Sequence, residues 1–268
     1  MIVIAPSGYD FKEFEEVEIT GISITNINDP AFAAAQLREP YGHGYNNGAS
    51  ASSDYIPHAS TVITKITLKT PIARYHAGVQ IKSEFGKNID TRAAVGNLSR
   101  NIVIKAIYEP TLASDYRDWN GNVFVTSYKD FNTDEPWNPP TREGFVNLHN
   151  VELDRMGQEE TYRSGLRFEA LDGAGFSKSS VVENCVIKDS DTLGVYIDKW
   201  KTPIDFKNNI IFKNWQHGMY VTNSNDINIV DNFSLYTRQP GHLKRIEAKA
   251  SNFFICPESP HGCKNVKL

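Results

Sequence analysis

The segments VVENCVIKDS (181–190), DFKNNIIFKN (205–214) and NIVDNFSLYT (228–237) are three versions of one phrase, short apolar runs broken by Asn or Asp. Superimposing Asn184, Asn208 and Asp231 sets them 24 and 23 residues apart. A second register agrees: GLRFE begins at Gly165, GVYID at Gly194 and GMYVT at Gly218, and the last two glycines are again 24 apart. The first step, 29 residues, is longer, and LDGAGFSK (171–178) reads as the insertion. A repeat of roughly 23 residues is too short for a propeller blade, and the leucine-rich pattern is missing. It fits one coil of a parallel β-helix, in which equivalent strands of successive coils stack into parallel sheets.

The expected fold class is therefore all-β: a right-handed, single-stranded parallel β-helix of the pectin-lyase-like kind, preceded by a further β region. Gly194 and Gly218 are expected on adjacent coils, their parallel strands about 4.8 Å apart. The strands at 184–187 and 208–211 should pair in the same way. Val182, Cys185 or Val186, Ile210, Ile229 and Phe233 are expected to point inward. Asn208 and Asn209 belong at turns, where asparagine tolerates the left-handed region and its amide can bond to the neighbouring coil. Outside the repeats, VEITGISI (17–24), TVITKITL (61–68), NIVIKAI (101–107) and NVFVTSY (122–128) alternate β-branched or aromatic residues with polar ones and read as strands. Only PAFAAAQLR (30–38) suggests two helical turns.

Composition narrows the functional classes. The chain has 268 residues, with Lys+Arg 28 against Asp+Glu 32 and a net charge of −4. That balance argues against a nucleic-acid partner held by phosphate contacts. No apolar run reaches the length of a membrane-crossing helix, and MIVIAPSGYDF lacks the pattern of a signal peptide. Three cysteines exclude a scaffold built from disulfides. Cys256 and Cys263 are spaced for a small disulfide in an extracellular chain, whereas Cys185 occupies a core position.

The first half resembles the G8-domain family. The resemblance is carried by IVIAPSGYDF (2–11), VEITGISI, KITLKTPIARYHAG (65–78) and IDTRAAVGNLSRNIVI (89–104), and NVELDRMGQEETYRSGLRFEAL (150–171) is similar to the β-helix that follows that domain. Members include fibrocystin, fibrocystin-L and hyaluronan-degrading surface proteins. The resemblance divides the chain into the C-terminal part of a G8-like domain (1–110), β-helix coils (111–237) and an irregular last coil or cap (238–268). It implies an extracellular or cell-surface location, including ciliary or flagellar surfaces, and a segment of a longer protein continued or packed against other chains or flanking domains at the solenoid ends. Two departures separate the branches. Where hyaluronan-degrading members carry a histidine-containing string, this chain has Tyr162-Arg163-Ser164-Gly165-Leu166-Arg167-Phe168-Glu169, which looks like the fibrocystin-L branch. The family's acid after Arg-Ala is Ala94 here.

The expected function is thus a non-enzymatic structural and interaction module of a fibrocystin-L-like protein. The alternative is a carbohydrate-active enzyme, hyaluronidase- or polysaccharide-lyase-like, acting on a glycosaminoglycan-type polymer. For that chemistry Asp90 and Arg92 are the candidates, and the competing reading is a structural ion pair, since Asp-x-Arg shares one face of a strand. Acids along the coils (Glu152, Asp154, Glu169, Glu183, Asp189, Asp191, Asp198, Asp205) offer at most a Ca²⁺ or water-activating site. No other cofactor is implied, and the seven histidines show no metal-ligand spacing. Tyr116, Trp119 and Trp137, in loops rich in Asn and Pro, are candidates for stacking on a glycan. Asn97-Leu98-Ser99 and Asn232-Phe233-Ser234 are glycosylation sequons, of which Asn232 is preferred in a secreted chain because Asn97 lies inside the string shared with the G8 family.

Overall fold

A computed structural model describes residues 1–5, 14–26, 62–74, 76, 80–82, 85–86, 88–90, 93–106, 120–135, 137–158, 161–170, 178–237, 251–255 and 263–268. Residues 30–38 lie outside this set, and every regular element within it is a strand. The chain falls into two compact units: Met1–Ile2 with Glu16–Ala73, and Val3–Glu15 with Arg74–Leu268. Val3–Glu15 and the segment from Arg74 thus fall in the same unit as the coils.

The first unit contains an antiparallel pair, Ile19–Asn26 with Val62–Leu68, bulged between Ile19 and Gly21. Beyond it the Lys69 N–H donates to the Glu18 carbonyl at 2.8 Å, and their side chains form an exposed ion pair of 2.6 Å.

The second unit is built of three parallel sheets, each visited once per coil. The first face stacks Asn147–His149, Ser180–Glu183, Ile204–Lys207 and Ile227–Val230. The second stacks Ile102–Lys105, Val151–Asp154, Val186–Lys188, Ile210–Phe212 and Phe233–Leu235. The third stacks Val123–Lys129, Leu166–Ala170, Val195–Asp198, His217–Thr222 and Ser251–Ile255. Register follows the repeat: Val186 pairs with Ile210, Val195 with Met219, and the Gly194 N–H donates to the His217 carbonyl at 3.0 Å. The expected parallel β-helix is what the chain forms. One antiparallel strand, Thr141–Glu143, folds back onto Val123–Lys129.

Four successive coils turn the corners on either side of the second face in the left-handed region. Between the first and second faces the turn residue is Asn150, Asn184, Asn208 or Asp231, with φ of 56, 53, 52 and 53°. Asn and Asp tolerate this region because their short polar side chains lower its cost. After the second face, Arg155, Asp189, Lys213 and Tyr236 turn with φ of 54, 53, 56 and 55°. These N–H groups bond across to the next coil, as from Asn184 to the Lys207 carbonyl (3.0 Å) and from Asn208 to Val230 (3.1 Å).

The residue after the first turn does different work. Asn209 is buried, and its Oδ1 accepts from the Cys185 N–H at 2.9 Å while its Nδ2 donates to the Val182 carbonyl at 2.9 Å. Asn232 repeats this one coil on, accepting from the Asn209 N–H at 3.0 Å and donating to the Phe206 carbonyl at 2.8 Å. Asn214 does the same at the second corner, accepting from the Ser190 N–H at 3.0 Å. These amides satisfy corner backbone groups that no sheet can reach, which is costly to leave undone in a buried turn.

First-face strands alternate strictly, Val182, Phe206 and Ile229 inward against half-buried Glu183, Lys207 and Val230. The second face is buried on both sides. Its inward row is Leu153, Ile187 and Ile211, in the same core as Val182, Cys185 and Ile229. Of the alternatives Cys185 or Val186, Cys185 is the inward one; Val186, together with Ile210 and Phe233, which the sequence reading places inward, points out of the coil into a second cluster with Val3, Ala5, Leu98 and Phe212. The reason is the period of two: once Ile187 and Ile211 face inward, their neighbours must face outward. The N-terminal segment covers that outer row, with Phe14 meeting Phe212 edge-on at 5.3 Å.

Candidate functional site on the outer side of the third face

In the strand Leu166–Ala170, residues 166, 168 and 170 are buried and Arg167 and Glu169 point outward. Parallel register then aligns two outward columns across the coils. One runs Phe124, Arg167, Tyr196, Tyr220 and Phe254; the other runs Thr126, Glu169, Asp198 and Thr222.

The first column is a continuous aromatic and cationic stack. The Arg167 guanidinium lies over the Phe124 ring at 4.8 Å and near the Tyr196 ring at 5.9 Å. Tyr196 and Tyr220 are 5.5 Å apart, and Tyr220 and Phe254 5.3 Å. Tyr162 lies on Tyr196 at 5.1 Å and is 43% exposed, as Phe124 is at 41%. Tyr196 beneath it is buried, and burial with the Asp198 and Glu169 carboxylates pushes its phenol upward, so that it keeps its proton. At the end of the stack His217 lies flat on Phe254 at 4.5 Å and 2°. Burial drives the imidazole pKa down to about 4, and its Nδ1 has no partner among the described residues.

The second column holds two carboxylates on adjacent strands. Glu169 is ion-paired with Arg167, and Asp198 accepts from the Asn223 Nδ2 at 3.0 Å. The other acids singled out from sequence do not join them. Glu152 and Asp154 lie on the second face, paired with Lys188 (2.7 Å) and Lys105 (2.9 Å). Glu183 and Asp205 lie on the first face, paired with His149 (3.3 Å) and Lys207 (2.8 Å). No cluster of three metal-ligating His, Cys, Asp or Glu occurs among the described residues.

The remaining candidates scatter. Trp137 stands on the loop between Val123–Lys129 and Thr141–Glu143, 79% exposed; Tyr116 and Trp119 lie outside the described residues. Asp90 ends an antiparallel pair opposite Gln80, and Arg92 is outside the described residues. Asn97 is exposed, its Oδ1 accepting from the Ser99 N–H at 3.1 Å. Asn232, in contrast, spends its Nδ2 on the Phe206 and Val230 carbonyls (2.8 and 3.0 Å), so a glycan there would have to replace one of these bonds. Cys263 is disulfide-bonded and Cys185 is a free, buried thiol; Cys256 lies outside the described residues.

Sequence reading missed the aromatic column, although its signal is present. Arg167, Tyr196 and Tyr220 each stand two residues after a repeat glycine, Gly165, Gly194 and Gly218. Among known proteins, no curated protein and no solved structure matches the chain. Residues 145–234 match the family model of the right handed beta helix region. Over those residues, which hold both outward columns from Arg167 to Thr222, the chain is a right-handed parallel β-helix.

Proposed function

We propose that this chain is part of an extracellular or cell-surface protein, fibrocystin-L-like, in which the β-helix serves as a non-enzymatic structural and interaction module. Its binding surface is the outer side of the third face, and its ligand is a glycan chain. The carrying observation is the column Phe124–Arg167–Tyr196–Tyr220–Phe254, flanked by Tyr162. Sugar rings present flat apolar faces to aromatic rings and hydroxyls to charged and amide groups, and this column places both types side by side. The G8-like strings at 2–11 and 89–104 support the cell-surface reading, and the edges of the first and last coils are the places for flanking chain or partners.

One observation favours the enzymatic alternative. Glu169 and Asp198 occupy the same outward column on adjacent paired strands, which brings two carboxylates side by side as a glycosidase requires. A single assay separates the two readings. Incubation with hyaluronan and with chondroitin, followed by affinity electrophoresis and size-exclusion chromatography, should show retardation weakened about tenfold by Tyr220→Ala, with chain length unchanged. Shortening of the polymer that disappears in Glu169→Gln would establish the enzyme. Absence of retardation with either polymer would overturn the glycan-binding reading.

A further inference from the structure

Away from the third face, at the corner between the first two faces, a shallow cleft of about 390 Å³ is lined by Asn97, Ser99, Arg100, Asn101, Asn150 and Asn184. Every lining side chain is an amide, a hydroxyl or a guanidinium. Among the described residues no apolar ring or aliphatic chain lines it, which sets the cleft apart from ordinary small-molecule pockets. Asn150 and Asn184 are the left-handed corner residues of successive coils, so their amides stand one rung apart by construction.

Arg100 is the only charged residue among the described lining residues, and it is fixed in place. Its Nε donates to the Asn184 carbonyl, and its Nη1 donates to the carbonyls of Asn97 (2.7 Å) and Ser99 (2.8 Å). Three carbonyls thus hold the guanidinium plane, while Nη2 makes no bond to any described residue. Burial pulls its pKa down, the mark of a charge short of solvent and counter-charge. Glu152, which acts on Arg100 from the second face, is already paired with Lys188 at 2.7 Å.

We propose that this cleft is a binding site for a carboxylate-bearing sugar, a hexuronic acid residue, with the carboxylate on Arg100 and the hydroxyls on the surrounding asparagine amides. A guanidinium whose other donors are occupied pays little further ordering entropy when it meets an anion. Amides donate and accept at once, as sugar hydroxyls do. The site does not depend on the reading of the third face.

The test is isothermal titration of the whole chain with sodium D-glucuronate, D-glucose and sodium sulfate. Saturable binding of glucuronate is expected, with glucose and sulfate each about tenfold weaker, the worth of one charge-assisted contact or of the hydroxyl set. Arg100→Gln should abolish binding. Because Arg100 also ties chain segments together, Asn101→Ala, at an exposed position, is the second probe and should weaken binding severalfold with an unchanged melting curve. Tyr220→Ala should leave the titration as in the wild type. Equal binding of glucose and glucuronate, equal binding of sulfate, no saturable glucuronate binding, or indifference to Asn101→Ala would each overturn the proposal.

Discussion

Two neighbouring asparagines show how different the demands on one residue type can be. Asn208 is exposed and serves its backbone, holding φ at 52°, whereas Asn209 is buried and serves its side chain, through bonds to the adjacent coils. Asn208→Gly should therefore change stability by less than about 0.5 kcal/mol, since glycine enters the left-handed region freely. Asn209→Ala removes the side-chain partners of the Cys185 N–H and the Val182 carbonyl on the preceding coil and should cost about 2–3 kcal/mol by urea unfolding. His217 adds a pH dependence whose sign follows from its lowered pKa of about 4. Below pH 6.5 the unfolded imidazole binds a proton that the folded one refuses until about pH 4, so stability falls as the pH drops through this window. The loss is about 3 kcal/mol across the window, and His217→Phe should flatten that part of the stability–pH curve.

At the scale of the element, the second face is a sheet with apolar residues on both sides. The inward row packs against the coil interior, and the outward row Val186, Ile210 and Phe212 packs against Val3, Ala5 and Leu98. Gly96 permits that approach: a Cβ there would lie 2.9 Å from the Ile210 Cδ1 and 3.1 Å from the Val3 Cγ1. Docking of the N-terminal segment thus contributes core-like energy outside the coil. Leu98, fully buried, should report it, with Leu98→Ala costing about 2–5 kcal/mol in denaturant unfolding. A loss under about 0.5 kcal/mol would mean that this segment lies on the face without stabilising it.

For the molecule as a whole, the consequential feature is an edge. Ile102–Lys105 is the outermost described strand of the second face, and Ile102, Val103 and Ile104 are 58, 49 and 37% exposed. An apolar strand with one unpaired edge is a template for another chain. Residues 1–268 alone should self-associate at micromolar concentration, and Val103→Lys should shift sedimentation toward the monomer with stability unchanged to about 0.5 kcal/mol. A wild-type chain that sediments as a monomer would show this edge to be harmless.

How much of this was legible beforehand depends on whether the cause is local. The coil period, the strand positions at 181–237 and the corner role of Asn208 and Asn209 follow from the sequence alone, because turn chemistry and period-two alternation act over a few residues and the repeat displays them three times. The direction of Ile210 and Phe233 did not follow, nor did the choice between Cys185 and Val186. All are apolar, and the sequence carries no sign that residues far along the chain, Val3, Ala5 and Leu98, cover the outside of their sheet. The two outward columns of the third face are likewise tertiary facts. Arg167, Tyr196 and Tyr220 stand at one repeat position, but only parallel register makes them neighbours, and only burial decides that Tyr162 lies over Tyr196. Short-range physics wrote the coil into the sequence; which of its faces are covered and which stay open was decided by contacts between residues far apart along the chain.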